Sequence, residues 1–260
     1  MKKQRVLAWF SCGAASAAAT KVAIAKYKDK DKYDFEIVYC KVAEEHPDNE
    51  RFLKDCEKWF GMPIKILINE KYDGSIFKCF EDQKIIKMVT YAPCTNMLKK
   101  DLRKAYERHD DIHIFGMTLE EEDRFDRLLD ANNGMNADPI LIDRSLTKAD
   151  CLAMLAAENI EIPVMYKLGY NNNNCIGCVK GGIGYWNKIR VDFPVEFNRM
   201  AELERKIGHA VLKETKVIDG EKKVFPLFLD ELEPKRGRHK DEVMEDCGIF
   251  CQMALNESRG

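Results

Sequence analysis

The chain has 260 residues, of which 45% are hydrophobic, enough to bury one sizeable α/β core with a smaller appended part. Its 42 Lys and Arg nearly balance its 44 Asp and Glu, so the net charge of −2 gives no sign of a nucleic-acid-binding protein. No stretch approaches the roughly 20 apolar residues that a membrane helix needs, so we expect a soluble, cytoplasmic protein with no membrane partner.

The first part of the chain alternates strand and helix signals. A short apolar run at residues 5–10 predicts a buried strand, and a small-residue turn and an Ala-rich helix at 17–27 follow it. Further strands are predicted at 35–40, 64–68, 112–116 and 139–142, and further helices at 49–60, 95–108 and 147–158. This alternation predicts an α/β fold with a doubly wound, mostly parallel five-stranded sheet.

The character of the sequence changes after about residue 160. Residues 166–185 are rich in Asn and Gly, a helix is predicted at 193–207, and a hairpin is predicted at 213–228. A charged segment at 233–242, which we expect to be mobile, precedes the last two cysteines. We therefore predict a domain at 1–160 and a cysteine-bearing, helical C-terminal extension at 161–260.

The ten cysteines are the most informative part of the composition. In a reducing compartment they serve as packing residues, metal ligands or nucleophiles and not as disulfides. Four lie in apolar or helical contexts that predict packing: Cys40, Cys56, Cys79 and Cys151. Five lie in loop-like contexts, where site residues concentrate: Cys94, Cys175, Cys178, Cys247 and Cys251.

A loop of small residues between the first strand and the first helix predicts a phosphate site. It consists of Ser11, Cys12, Gly13, Ala14, Ala15 and Ser16. Small side chains let a ligand approach the backbone, and the free N–H groups of the first helical turn face an anion. The other interpretation is a plain tight turn ahead of an Ala-rich helix. In a parallel sheet this loop, residues 41–46 and residues 116–124 share one edge.

The loop resembles the Ser-Gly-Gly-x-Asp-Ser PP-loop of the phosphoadenosine phosphosulfate (PAPS) reductase family, within the PP-loop superfamily of adenine-nucleotide-binding proteins. Cys12 stands at the first glycine and Ala15 at the acidic residue. The resemblance implies that residues 11–16 bind ATP or an adenylyl sulfate. The resemblance also assigns Lys99, Gly116 and Arg124 to the nucleotide site, because they lie in further segments similar to those of the family.

Other segments match the family in chain order. The run Met165 to Tyr170, followed by Ile-Gly-Cys178, resembles a signature of these reductases, and Asp246-Cys-Gly-Ile-Phe250 resembles their C-terminal motif. The cysteine of that motif attacks sulfate sulfur in the reductases, which implies that Cys247 is catalytic. Cys251 follows four residues later and could resolve the adduct. Thr118 and Leu119 stand where the reductases carry a basic pair.

Three of the loop cysteines have spacing typical of metal ligands. Cys175 and Cys178 form a C-x-x-C pair, to which Cys94 adds a third thiolate. Such loops bind iron–sulfur clusters, so we predict a [4Fe–4S] cluster, with zinc as the alternative. The fourth ligand stays open between Cys12, Cys247 and Cys251.

Three functions remain open from the sequence. The first is thiol-dependent reduction of an adenylyl sulfate, favoured by the Cys-Gly-Ile motif. The second is an ATP-dependent sulfurtransferase with a sulfur donor and a nucleic-acid acceptor, favoured by Thr118 and Leu119 in place of the basic pair. The third is a non-catalytic nucleotide-binding module, favoured by Ala15.

Overall fold

A parallel sheet forms the centre of the molecule. The structure is a computed structural model that describes residues 2–88 and 91–242. Its five strands are β1 (Gln4–Trp9), β2 (Tyr33–Cys40), β3 (Ile64–Leu67), β4 (Ile112–Ile114) and β5 (Asn136–Asp138). They run in the order β3-β2-β1-β4-β5, and every pairing is parallel. The predicted doubly wound α/β fold is therefore confirmed.

Helices cover both faces of the sheet and build the C-terminal part. They are α1 (Ala14–Lys26), α2 (Asn49–Phe60), α3 (Ile76–Gln83), α4 (Pro93–Thr95), α5 (Asp101–Tyr106), α6 (Glu122–Ala131), α7 (Lys148–Ala157), α8 (Val164–Lys167), α9 (Ile183–Asp192) and α10 (Pro194–Ile207). A π-helical turn at Asn96–Lys100 joins α4 to α5. No described helix is long and apolar enough to cross a membrane.

Alternation along β1 explains why both faces of the sheet are covered. Val6 and Ala8 belong to a buried cluster that includes residues of α1, α2 and α7. Leu7 and Trp9 point to the other face, in a cluster with residues of α6. Strands buried on both faces read as continuous apolar runs, which is why the sequence identified β1 correctly.

The fifth strand was predicted in the wrong place. It was expected at residues 139–142, but β5 is the polar segment Asn136–Asp138 immediately before them. Pro139 has no N–H for a strand ladder, and the chain then turns, with the Ile140 N–H donating to the Asp138 carbonyl at 2.8 Å. Ile140 and Leu141 are fully buried in the cluster that covers one face of the sheet. The apolar run at 139–142 therefore indicated buried side chains and not a strand.

The predicted hairpin is present as β6 (Leu212–Ile218) and β7 (Glu221–Leu227), which pair antiparallel. Its turn residues, Asp219 and Gly220, have φ values of 53° and 80°, as a type I′ turn requires. One buried apolar cluster contains residues of α3 together with residues of α8, α9, α10 and this hairpin. The division at residue 160 stays a prediction.

The charged segment at 233–242 was expected to be mobile, but it packs along α9. The Asn187 amide donates to the carbonyls of Glu233 and Arg236 at 2.9 and 2.7 Å. The Glu242 carboxylate accepts hydrogen bonds from two N–H groups at the start of α9. A charged composition did not reveal these contacts because they involve backbone groups.

Candidate functional site

The loop between β1 and α1 lies where the strand order of the sheet reverses, between β1 and β4. Ligands of open α/β sheets bind at this point, outside the carboxyl ends of the strands. The Ser16 Oγ sits inside the loop, where it accepts from the Ser11 N–H at 3.0 Å and donates to the Gly13 carbonyl at 3.0 Å. Ser16 thereby fixes the shape of the loop. The N–H groups of the first turn of α1 have no acceptor within their own helix. The Ala14 N–H donates to the Tyr166 hydroxyl at 3.4 Å, so the N–H groups of Ala15 and Ser16 are the ones that could bind an anion.

Gly116 lies directly against this loop. A Cβ atom at Gly116 would be 2.4 Å from the Ser16 nitrogen and 2.5 Å from its Cα. The segment after β4 can therefore pack on the first turn of α1 only because residue 116 has no side chain. The sequence assigned Gly116 to the nucleotide site, and the structure brings it to the loop.

Cys12 occupies the loop in an unusual backbone conformation. Its φ is 57°, in the left-handed region that glycine occupies without strain, and its side chain is fully buried. Burial raises the pKa of the Cys12 thiol well above its ordinary value, and the nearby Glu45 charge raises it further. Cys12 is therefore held as a neutral thiol beneath the loop, and its side chain does not line the cavity described next.

The three cysteines with ligand-like spacing line one buried cavity. Its walls are Val42, Ile76, Cys94, Thr95, Leu98, Lys99, Cys175, Cys178 and Val179, and we call it the cysteine cavity. Cys175 and Cys178 are buried, and Cys94 is half-buried. The cavity thus brings together residues of the loop between β2 and α2, of α3, of α4 and of the loop before α9. Its remaining walls are mostly apolar, which limits access of water to the thiols.

The C-x-x-C segment forms a tight turn. The Cys178 N–H donates to the Cys175 carbonyl at 3.1 Å, and Gly177 has a φ of 74°, which glycine adopts without strain. The buried Tyr185 hydroxyl accepts from the Cys178 N–H at 2.9 Å and donates to the Cys175 carbonyl at 3.2 Å. These bonds hold both cysteines on the cavity wall.

Two lysines lie close to the cysteines. Lys99 lies in the π-helical turn and lines the cavity, with its Nζ 3.9 Å from the Glu45 Oε1. Lys87 donates from Nζ to the Val179 carbonyl at 2.5 Å. Burial lowers the pKa of Lys87, while the neighbouring Cys178 acts to raise it. Positive charge beside thiols favours their thiolate form, which is the form that binds metals.

The assignment of Arg124 to the nucleotide site stays a prediction, and two further predicted site residues are not described. The Arg124 guanidinium pairs with Glu121 one turn away on the same helical segment, and Thr118 is buried at the start of that segment. Cys247 and Cys251 lie outside the described residues, so their roles stay predictions. The four cysteines expected to serve in packing are all buried, and burial raises the pKa of each thiol.

Sequence reasoning missed the polar residues between the loop and the cavity. Asn173 donates from Nδ2 to the Cys12 carbonyl at 2.7 Å and to the Asn49 Oδ1 at 2.8 Å. Asn49 in turn donates to the Glu45 Oε2 at 3.0 Å. The run of asparagines before Cys175 was the only signal, and it reads equally well as a surface loop.

Within residues 2–88 and 91–242, no group of three His, Cys, Asp or Glu side chains is arranged to bind one metal ion. A zinc site needs its ligands gathered around a single ion. The thiolates of an iron–sulfur cluster bind different irons, so they stand farther apart around one cavity. Cys94, Cys175 and Cys178 share one cavity wall with a lysine beside them, and the described residues close no site around a single ion.

No protein-family model and no curated protein sequence matches the chain. Among solved structures, it is similar to the U34-tRNA thiolase NcsA from Methanococcus maripaludis with its [4Fe-4S] cluster. The sequence identity is 11% and the TM-score is 0.42, and the match covers 78% of this chain and 66% of that one. None of these comparisons confirms membership of the PAPS reductase family. The function therefore has to be argued from the residues of this chain.

Proposed function

We propose that the chain is a nucleotide-dependent sulfurtransferase that binds a [4Fe–4S] cluster through Cys94, Cys175 and Cys178. The observation that carries the proposal is that these cysteines line one cavity, and that the loop bearing two of them is bonded to the nucleotide-binding loop. A nucleotide site and a sulfur-handling site next to each other are what ATP-dependent sulfur transfer requires.

The chain would bind ATP at the start of α1. The N–H groups of the first turn face the phosphates, and the Ser16 hydroxyl keeps the loop in the shape that presents them. Gly116 lets the segment after β4 close against the loop. These residues orient the triphosphate, so that an oxygen of the acceptor attacks the α-phosphorus and pyrophosphate leaves. Sulfide from a sulfur donor then displaces AMP, which carries that oxygen away.

The cysteine cavity would hold the cluster. Cys94, Cys175 and Cys178 would hold a [4Fe–4S] cluster, which would supply iron able to bind sulfur. The mostly apolar walls of the cavity would limit access of water to the thiolates, and Lys99 would place a cation beside them. Tyr185 keeps Cys175 and Cys178 at the wall through its two hydrogen bonds.

The segment after β4 favours a sulfurtransferase over an adenylyl-sulfate reductase. Thr118 is buried at the place where the reductases carry a cation, and Leu119 follows it. The reductase remains the second candidate because of the Cys-Gly-Ile motif at Cys247.

The test uses protein prepared without oxygen and supplied with ATP and sulfide. We expect AMP to form when a nucleic-acid acceptor is added, tested with unmodified transfer RNA and with duplex DNA, and not without it. A Gly13→Val variant should abolish this turnover, because its side chain blocks approach to the loop. An added sulfite mass on Cys247 after incubation with an adenylyl sulfate would instead show a reductase and contradict the proposal.

A further inference from the structure

Buried polar side chains connect the nucleotide-binding loop to the cysteine cavity. Asn173 donates to the Cys12 carbonyl at 2.7 Å and to the Asn49 Oδ1 at 2.8 Å. The Asn49 Nδ2 donates to the Glu45 Oε2 at 3.0 Å, and the Glu45 Oε1 lies 3.9 Å from the Lys99 Nζ on the cavity wall. We call these four side chains, Lys99, Glu45, Asn49 and Asn173, the polar bridge.

The orientation of each amide in the polar bridge is fixed by chemistry. A carboxylate only accepts hydrogen bonds, so Asn49 must present Nδ2 to Glu45 and therefore Oδ1 to Asn173. Asn173 must then present its own Nδ2, and both of its N–H hydrogens are used, one on Asn49 and one on the Cys12 carbonyl. The bridge therefore has one consistent arrangement of donors and acceptors.

Burial makes the links of the polar bridge depend on one another. Asn49 and Asn173 are 4% and 6% exposed, and Lys99 is 7% exposed. A polar group this deep that loses its partner is strongly disfavoured, so a shift at one link forces the next to follow. The Asn173 Oδ1 is buried without a hydrogen-bond partner among the described residues. The Asn173 side chain is thus held in place by the two hydrogen bonds that its amide nitrogen donates to the Cys12 carbonyl and to Asn49.

The cysteine loop is tied to the same segment at a second point. The Ile176 N–H, between the two cysteines, donates to the Glu44 carbonyl at 2.9 Å. Asn173 lies two residues before Cys175 in the same loop. A displacement of the nucleotide-binding loop is therefore transmitted to the cysteines both through side chains and through a short stretch of backbone.

From this geometry we propose that the polar bridge couples nucleotide binding to cluster binding, with Asn49 and Asn173 as positioning residues. The inference rests on the proposed function, because it requires both ligands. Each ligand lies at one end of the bridge, so a ligand that fixes its own end also fixes the position of the other end, and the coupling is favourable in both directions. Couplings between two sites usually amount to roughly 5- to 150-fold in affinity.

The test compares the affinity for ATP of the iron–sulfur-loaded and the metal-free protein, both measured by calorimetry without oxygen. In the wild type we expect the loaded form to bind ATP at least about fivefold more tightly. In Asn173→Ala both ligands still bind, but the ratio of the two affinities falls to about one. A ratio of one in the wild type, or an unchanged ratio in Asn173→Ala, overturns the proposal.

Asn187→Ala is the matched control. Asn187 is equally buried, at 7% exposure, and its Nδ2 also donates to two acceptors, here the carbonyls of Glu233 and Arg236. Asn187→Ala removes the same amide group at a place away from the polar bridge. The ratio of the ATP affinities of the loaded and the metal-free protein should therefore stay at the wild-type value. If it falls as in Asn173→Ala, the effect reflects general loosening and the coupling proposal is refuted.

A measurement on the wild type decides the matter if Asn173→Ala does not fold. Cluster loading without nucleotide should slow amide hydrogen exchange at residues 13–16, relative to the distant strand β5. Unchanged exchange at residues 13–16 contradicts the inference. A protein that binds no iron or no ATP contradicts the proposed function itself, whereas one that binds both independently contradicts only the coupling.

Discussion

Replacing Gly116 by alanine tests the nucleotide site at its tightest contact. The new Cβ would lie 2.4 Å from the Ser16 nitrogen, whereas ordinary contact begins at 3.4 Å. The segment after β4 and the first turn of α1 must therefore separate by about 1 Å, and overpacking of this kind usually costs about 1–3 kcal/mol of stability. Ser16 and Ala15 carry the backbone that we expect to face the phosphates, so the same shift misdirects their N–H groups.

The effect on binding follows from the hydrogen bonds that are lost. A hydrogen bond to a charged group contributes about 1.5–3 kcal/mol, so losing one in Gly116→Ala weakens ATP binding by roughly 10- to 100-fold. Affinity is measured by calorimetry and stability by urea unfolding. Gly134→Ala is the control, because Gly134 has a φ of 84° and open space around it. It should lose about 1–2 kcal/mol through backbone strain alone. Equal ATP affinity in the two variants would refute the proposed position of the phosphates.

Two further predictions concern the C-terminal part. Gly177→Ala places a side chain on a residue with a φ of 74°, 3.1 Å from the Trp186 ring. The variant should therefore lose about 1–2 kcal/mol of stability and bind less iron. Full iron content would contradict a role of this turn in holding the cysteines. Burial raises the pKa of Glu204, whose carboxylate accepts from the Val211 and Leu229 N–H groups, to about 7. Stability should therefore fall by up to about 3 kcal/mol as pH rises from 4.5 to 7, because Glu204 keeps its proton to a higher pH in the folded state than in the unfolded state. Urea unfolding across this range should show a weaker fall in Glu204→Gln, and an unchanged fall would exclude Glu204 as its source.

The sequence predicted most of the sheet because its strands follow simple rules. Most of β1 and the second half of β2, residues 37–40, are apolar runs buried on both faces, and the hairpin has the Asp-Gly pair that its turn requires. β5 could not be predicted in this way, since Asn136–Asp138 is a polar strand at the edge of the sheet. Its position depends on pairing with β4, which a local pattern does not encode.

The candidate site was predictable to the extent that its residues carry local patterns. The sequence identified Cys175 and Cys178 by their spacing and Cys94 by its loop-like context. All three line the cysteine cavity. The polar bridge could not be predicted, because Asn49 and Asn173 are far apart in the chain and meet only in the fold. An isolated asparagine is compatible with too many environments for its type alone to indicate a role.

The most direct test of the account is the iron and acid-labile sulfide content of the protein purified without oxygen. We expect about four of each per chain in the wild type, as a [4Fe–4S] cluster requires. The content should be lost in the Cys175→Ser, Cys178→Ser double variant and retained in Cys151→Ser, which removes a buried cysteine outside the cavity. Full iron content in the double variant, or stoichiometric zinc in the wild type, would contradict the account.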